Sequence, residues 1–368
     1  MIDFAAVEAA FAAHAEADPT YSAQLAVHIG AERVVDLATG ALQADSLLPV
    51  YSSSKGATAT VVALLVERGQ LDLDAPVASY WPEFGQQGKA AIPVRQLLSH
   101  QAGLPGVDGG FTWEELLDHD PLATRLAAQH PFWRPGAGFM YHAVTIGTLA
   151  DELVRRIDGR PVAQVLREDV TAGRGIDLWI GTPASEDGRV VEALPPTMEE
   201  LTAGPLPPMG GDPLAGLSLP AGDPLAMFSL VNEEHFRRVG PPAAGMLASA
   251  RGLAALYAAT CHELQGQPRL LSDDTISQMS QIQVAGVELG SGLDARFGVI
   301  YMVPCPPRWA FGGVGTFGHD GAGGSLAFHD PNCDVSFGYT VQRLPLPGGM
   351  DARAVELARL VREALRAG

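Results

Sequence analysis

Apolar residues recur with a helical period over about residues 3–16, and the pattern stops at Asp18-Pro19, which predicts a helix at the start of the chain. Two short runs of β type follow, Gln24–Ile29 and Arg33–Ala38, and the intervening Gly30-Ala31-Glu32 predicts a hairpin. From Ser52 to Glu67 the period is helical again, with Val61, Val62, Leu64 and Leu65 on the apolar face and Gly69 where a helix would end. Between about 70 and 280, helical stretches alternate with loops rich in proline and glycine, and helices are expected over Val144–Ile157 and Ala248–Thr260. Gly181–Pro242 keeps no period and is dense in Pro, Gly and Asp, so it is expected to supply loops that line a site. Beyond about 285 the strand pattern returns at Phe297–Val303, Ser325–His329 and Val335–Val341, before a last helix over about Asp351–Leu365.

Strand signals therefore sit at both ends of the chain with mainly helical material between them. The expected fold class is α+β: an antiparallel sheet flanked by helices and built from residues 1–50 and 285–368, with a mainly helical domain, 51–284, inserted. The two parts are expected to form one contiguous unit, and a cleft between them is the natural place for a ligand.

Composition narrows the function. The chain has 368 residues, 47% hydrophobic and 18% charged, which is the balance of a compact globular protein. Its formal net charge of -18 repels phosphate backbones and anionic lipid, so neither nucleic acid nor a membrane is expected as a partner. No run of 18 uncharged apolar residues occurs, and Met1–Glu8 carries acids and no basic residue, so a cytoplasmic location is expected. Cys261, Cys305 and Cys333 are odd in number and widely spaced, and His14, His28, His119, His130 and His262 lack ligand spacing. No disulfide framework, metal or cofactor is expected. Nothing in the pattern specifies an oligomeric state.

The sharpest chemical signal is Ser52-Ser53-Ser54-Lys55. Three residues apart on a helix, Ser52 and Lys55 share a face and their side-chain ends can meet. A serine hydroxyl becomes a useful nucleophile when a base takes its proton, and a lysine serves once burial lowers its pKa from about 10.4. A helix start assists, because its dipole disfavours an ammonium and its free N–H groups can bind an oxyanion. The four residues alone also fit a capping serine followed by a solvated lysine. Lys55 is, however, one of only two lysines in the chain, the other being Lys89.

Five further segments keep the order of a known family. Gly69–Val77 with Tyr80–Phe84 follows the nucleophile helix, and Val94–Pro105 contains Leu97-Leu98-Ser99-His100. Pro135–Tyr141, Ala244–Ala254 and Gly318–Ser325 come later. Together they resemble the β-lactamase-like serine hydrolase superfamily of class C β-lactamases, DD-peptidases and family VIII carboxylesterases, over most of residues 20–342.

The resemblance implies a β-lactamase/transpeptidase-like fold and an acyl-enzyme on Ser52, with Lys55 and Tyr141 sharing the proton traffic. Which of the two takes the serine proton stays open. His319-Asp320-Gly321 stands where the family has Lys-Thr-Gly, so these residues and His142 are implied to touch substrate. The N–H groups of Ser52 and Ala322 are implied to form the oxyanion hole. Two departures bear on the substrate: His142-Ala143 replaces the residues that bring an asparagine two places after the tyrosine, and the third motif has no lysine. Both favour small esters or amides over β-lactams, so a carboxylesterase is the leading expectation. Transacylase, D-amino-acid amidase or peptidase, and weak β-lactamase follow; a silent binding or scaffolding protein of the same fold is the alternative outside enzymes. His100 reads as structural, at a helix end. A Gly-x-Ser-x-Gly elbow is missing, which disfavours an α/β-hydrolase.

Overall fold

The computed structural model describes residues 2–197, 214–222, 226–307, 309, 312–346 and 348–367. A five-stranded antiparallel sheet joins the two ends of the chain: β1 (Ala23–Ile29) and β2 (Glu32–Thr39) from the start, and β8 (Phe317–Asp320), β9 (Leu326–Asp330) and β10 (Val335–Val341) from the end, in the order β2-β1-β10-β9-β8. β1 and β10 run antiparallel from Ala23↔Val341 to Ile29↔Val335.

Both faces of this sheet are covered, and the alternation of β10 shows how. Val335, Phe337, Tyr339 and Val341 join Leu25 and Val27 of β1 in a core shared with α1 (Ala5–Ala17) and α12 (Ala352–Ala367), through Val7, Phe11, Leu357 and Val361. The opposite face carries small residues, Ala26 and its partner Gly338, and receives α10 (Ala250–Cys261) through Ala250 and Ala254. A Cβ on Gly338 would stand 2.3 Å from the Ala250 carbonyl oxygen and 2.6 Å from the Ala254 nitrogen, so glycine sets how closely the helix approaches. Gln24 locks the same contact. Its side-chain oxygen accepts from the Ala250 N–H at 2.9 Å and from the Thr340 hydroxyl at 2.8 Å, capping the helix start with a buried polar group.

Between the sheet strands the regular structure is mostly helical: α2 (Ser54–Glu67), α3 (Val94–Leu98), α4 (Trp113–Asp118), α5 (Asp120–Ala128), α6 (Thr145–Asp158), α7 (Val162–Val165), α8 (Ala226–Leu230), α9 (Glu234–Val239) and α11 (Asp273–Ser280) are the other α-helices among the described residues. Helix α2 is buried along nearly its whole length at the centre of this part, with Val61, Val62 and Leu65 in its core. Three very short strands, β3 (Leu48–Pro49), β4 (Leu178–Ile180) and β5 (Met246–Ala248), pair in the order β3-β5-β4 and lead the chain into α2. A separate hairpin, β6 (Val284–Val287) and β7 (Asp294–Phe297), closes the set.

The strand expected over Phe297–Val303 is displaced. It occupies Asp294–Phe297; residues 298–301 leave the ladder because Ile300 turns at φ 64° and Val299, Ile300 and Tyr301 bury their side chains in the helical core, and Met302 then pairs with Phe297 and with Gly318 of β8. The expected loop region Gly181–Pro242 contains α8 and α9, and residues 198–213 and 223–225 of it lie outside the described residues.

Candidate active site

The chain reaches Ser52 through β3, whose pairing with β5 is extended by the Val50 N–H donating to the Met246 carbonyl at 3.0 Å. Tyr51 then adopts φ 47°, a left-handed conformation that a side-chain-bearing residue holds at a cost, and a 3₁₀ turn over Tyr51–Ser53 feeds α2. Backbone strain at this point presents Ser52 at the mouth of the helix.

Each of the three serines has a separate environment. Ser54 donates to the Tyr51 carbonyl and accepts from the Met246 N–H at 3.0 Å, which fixes the turn. Ser53 shares a 2.9 Å hydrogen bond with Ser325 and donates to the His319 carbonyl at 3.3 Å, tying the start of α2 to β8 and β9. Ser52 faces Lys55, with Nζ 3.0 Å from Oγ.

Lys55 is fully buried, and its Nζ donates to the carbonyls of Ala143 at 2.6 Å and Ala243 at 2.9 Å. Burial pushes its pKa down to about 7, against a smaller opposing pull from Asp320. The stoichiometry matters. A neutral amine has two N–H bonds and one lone pair; the two carbonyls take the N–H bonds, and the lone pair remains for the Ser52 hydroxyl proton.

Tyr141 stands beside this pair, with Lys55 Nζ 4.8 Å from its ring centroid and its ring stacked on Phe297 at 5.8 Å. The His319 ring lies 6.0 Å from the Tyr141 ring, is 1% exposed, and donates from Nδ1 to the Asp320 carbonyl at 2.7 Å. A cavity of about 220 Å³ opens in front of Ser52. Ser52, Tyr141, Asp320 and Ala322 line one part of it; Glu288, Ser291, Asp294 and Phe297, from the β6–β7 hairpin, line another.

The glycines of the third motif are required by packing. A Cβ on Gly321 would lie 2.2 Å from the Val50 carbonyl oxygen, and one on Gly323 would lie 2.4 Å from the Tyr51 ring. The missing Cβ atoms let the turn between β8 and β9 press against the Val50–Ser52 turn and bring Ala322 to the same cavity as Ser52.

Of the residues singled out from sequence, Ser52, Lys55 and Tyr141 come together, and Asp320 and Ala322 face them. His142 does not reach the cavity. It is fully buried, with Nδ1 donating to the Met140 carbonyl at 2.6 Å and Nε2 accepting from the Leu104 N–H at 3.2 Å. Burial holds its pKa down to about 4, so both ring nitrogens are committed to structure at neutral pH. Neither His319 nor Gly321 lines the cavity; they stand behind its wall. His100 follows α3 at φ 66°, where its Nδ1 accepts from the His142 N–H at 3.1 Å and its carbonyl from the Met140 N–H at 3.2 Å. Burial, with His142 and Lys55 nearby, keeps His100 neutral.

The hairpin wall is what the sequence did not announce. Its signal is a lone acid, Glu288, in the glycine-spaced run Gly286–Gly292, which carries no chemical motif. None of the described residues of 181–242 lines the cavity.

Comparison with known proteins fits this arrangement. An esterase/beta-lactamase, LipL of Mycobacterium tuberculosis, is 33% identical, with 98% of this chain and 86% of that protein covered. The structure of EstA from Arthrobacter nitroguajacolicus superposes with a TM-score of 0.91 at 39% identity, covering 99% of this chain and 97% of that one. A family VIII carboxylesterase structure gives 0.87 at 32% identity, with 98% and 97% covered. The beta-lactamase family profile matches residues 7–361. With a Ser-x-x-Lys pair at the head of a buried helix, a tyrosine beside it and a glycine-rich turn closing the cavity, the chain belongs to the beta-lactamase family.

Proposed function

We propose that this serine hydrolase is a carboxylesterase acting on small esters, with Ser52 as nucleophile and Lys55 as the base that activates it. The observation carrying this reading is the hydrogen-bond count at Lys55: two carbonyls hold its N–H bonds, its pKa is near 7, and Ser52 Oγ is 3.0 Å away. In the acylation step Lys55 takes the hydroxyl proton as Oγ attacks the ester carbonyl. The oxyanion is held by the Ser52 and Ala322 N–H groups, and collapse of the tetrahedral intermediate expels the alcohol, which regains a proton. Water then attacks the acyl-enzyme, with Lys55 again accepting a proton; the bond between Oγ and the acyl carbon breaks, Lys55 returns the proton to Oγ, and the carboxylic acid leaves. Tyr141 is assigned the proton path to the leaving oxygen. The two carbonyls that occupy the Lys55 N–H bonds, leaving its lone pair toward Ser52, favour Lys55 over Tyr141 as the base.

The cavity supports small esters over β-lactams. Its volume, about 220 Å³, is below that of sites for drug-sized ligands, and none of the described residues lining it is a lysine or arginine that could receive the carboxylate of a β-lactam. The site lies where the two proposed parts of the chain meet: Ser52 and Tyr141 come from 51–284, and Ala322 and the hairpin wall from 285–368. No helix among the described residues is long and apolar enough to cross a membrane. A cytoplasmic location is our reading, supported by three cysteines that are all free thiols.

The test is turnover of p-nitrophenyl acetate and butyrate with intact-mass detection of the adduct. Wild type is expected to turn over and carry an acyl group, and Ser52→Ala to do neither. Turnover surviving in Ser52→Ala would remove Ser52 from the mechanism.

A further inference from the structure

We propose that Glu288 is a positioning residue that holds Tyr141 against the nucleophile by clamping its backbone to the tip of the β6–β7 hairpin. Glu288 is 5% exposed and lines the cavity that contains Ser52 and Tyr141. One carboxylate oxygen accepts from the Tyr141 N–H at 2.7 Å. The other accepts from the Ser291 N–H at 2.6 Å and from the Ser291 hydroxyl. A single buried side chain thus joins residue 141 to residue 291, and charge-assisted hydrogen bonds of this kind are about twice as strong as neutral ones.

The surroundings make this clamp the pivot of the segment that carries Tyr141. On one side, residues 140–142 are held by His100 through its carbonyl and Nδ1. On the other, the Leu289 N–H donates to the Phe139 carbonyl at 3.0 Å, and the Leu289 side chain covers Gly138. The hairpin tip itself closes through the Glu288 N–H to Leu293 carbonyl bond at 2.9 Å and the Gly292 N–H to Glu288 carbonyl bond at 2.9 Å. Leu289 and Leu293 are exposed, so the tip has little apolar burial to hold it, and the Glu288 carboxylate, with the Leu289–Phe139 backbone bond beside it, supplies the attachment. Tyr141 must keep its ring beside Lys55 and on Phe297, and Phe297 ends the same hairpin. Loss of the clamp frees both contacts together.

This inference rests on the esterase reading only for its kinetic half. Glu288→Ala, Glu288→Gln and Ser291→Ala are compared with wild type by hydrogen exchange over residues 138–143, by thermal melting, and by kcat and KM on p-nitrophenyl acetate. In Glu288→Ala the Tyr141 amide is expected to exchange about tenfold faster or more, since opening then needs no carboxylate bond to break. Glu288→Gln keeps an acceptor for the Tyr141 N–H and is expected to hold exchange near the wild-type rate. Unchanged protection in Glu288→Ala overturns the clamp whether or not any ester is hydrolysed.

Kinetically, Glu288→Ala is expected to lower kcat about tenfold or more with KM within about threefold, because a shift of 1 Å in a proton-transfer group costs up to about 100-fold. Glu288→Gln should recover most of that loss. In a Tyr141→Phe background the same substitution should change kcat by less than about threefold, as expected of two residues acting through one another. Losses that multiply in the double variant would show that Glu288 does not act through Tyr141. A wild type without an acyl adduct would instead dispose of the esterase reading and leave the exchange result to decide the clamp.

Discussion

At the scale of single residues, the site depends on a lysine kept short of its usual charge. Burial lowers the Lys55 pKa to about 7 in the folded state, whereas an unfolded lysine lies near 10.4, and in the proposed mechanism the active form is the neutral amine. We therefore expect kcat/KM on a neutral ester to rise with pH through about 7 and level off above it; a flat profile across that range would exclude Lys55 as the base. Lys55→Ala is expected to lower kcat by about 10²- to 10⁴-fold. The same burial has a stability signature. Below about pH 7 the folded state carries the full cost of the buried ammonium, and this cost falls as pH rises to about 10.4, where the unfolded lysine also loses its proton. Stability should accordingly increase with pH between these values, and Lys55→Met should remove that slope, as read from urea midpoints near pH 7 and near pH 9. Sequence made the meeting of Ser52 and Lys55 legible because residues three apart at a helix start share a face. It misled at His142, since a residue one place after Tyr141 looks available to substrate until its ring is seen spent on Met140 and Leu104.

At the scale of elements, what could be read was what repeats. Helices α1, α2, α6 and α12 and strands β1 and β10 have enough residues for a period to show, and they lie within two or three residues of where the pattern put them. Strands β3, β4 and β5 have two or three residues each, too few for any alternation, yet their pairing is what delivers Ser52 to α2. The run Gly298–Val303 misleads for a different reason: it is apolar throughout, and tertiary burial of Val299, Ile300 and Tyr301 outweighs its β preference. Close packing of elements also leaves a measurable trace. Gly338→Ala puts a Cβ 2.3 Å from the backbone of α10, where no side-chain rotation can relieve it, so we expect a loss of about 1 to 3 kcal/mol or more in urea unfolding. Because α10 lies against β1 and β10 and away from the cavity, kcat of the folded variant should stay within about twofold of wild type. A stability equal to wild type would mean that the helix can move outward at no cost.

At the scale of the whole molecule, the charge read from composition and the charge found in the cavity have the same sign. The chain carries a net -18, and the carboxyl groups lining the cavity are Glu288, Asp294 and Asp320, with no lysine or arginine among the described lining residues. A narrow cleft with walls of one sign concentrates the field of the molecule at its mouth. Lys55 lies behind Ser52 and offsets this little at a pH well above its pKa of about 7, for example at about pH 8.5, where it is neutral. Three acidic groups roughly 8 Å from a bound carboxylate, in an open cleft at a dielectric near that of bulk water (about 80), oppose it by about 1 to 2 kcal/mol in total, or roughly a factor of ten. We expect kcat/KM for the p-nitrophenyl monoester of glutaric acid to fall about tenfold below that for p-nitrophenyl butyrate at low salt. The gap should narrow to about threefold in roughly 0.5 M NaCl, where the Debye length drops to a few ångströms. Equal rates on the two esters would mean that the acyl group does not face the hairpin wall, and would move the acyl pocket to the other side of Ser52. A gap that ignores salt would assign the discrimination to shape, since a steric wall is not screened.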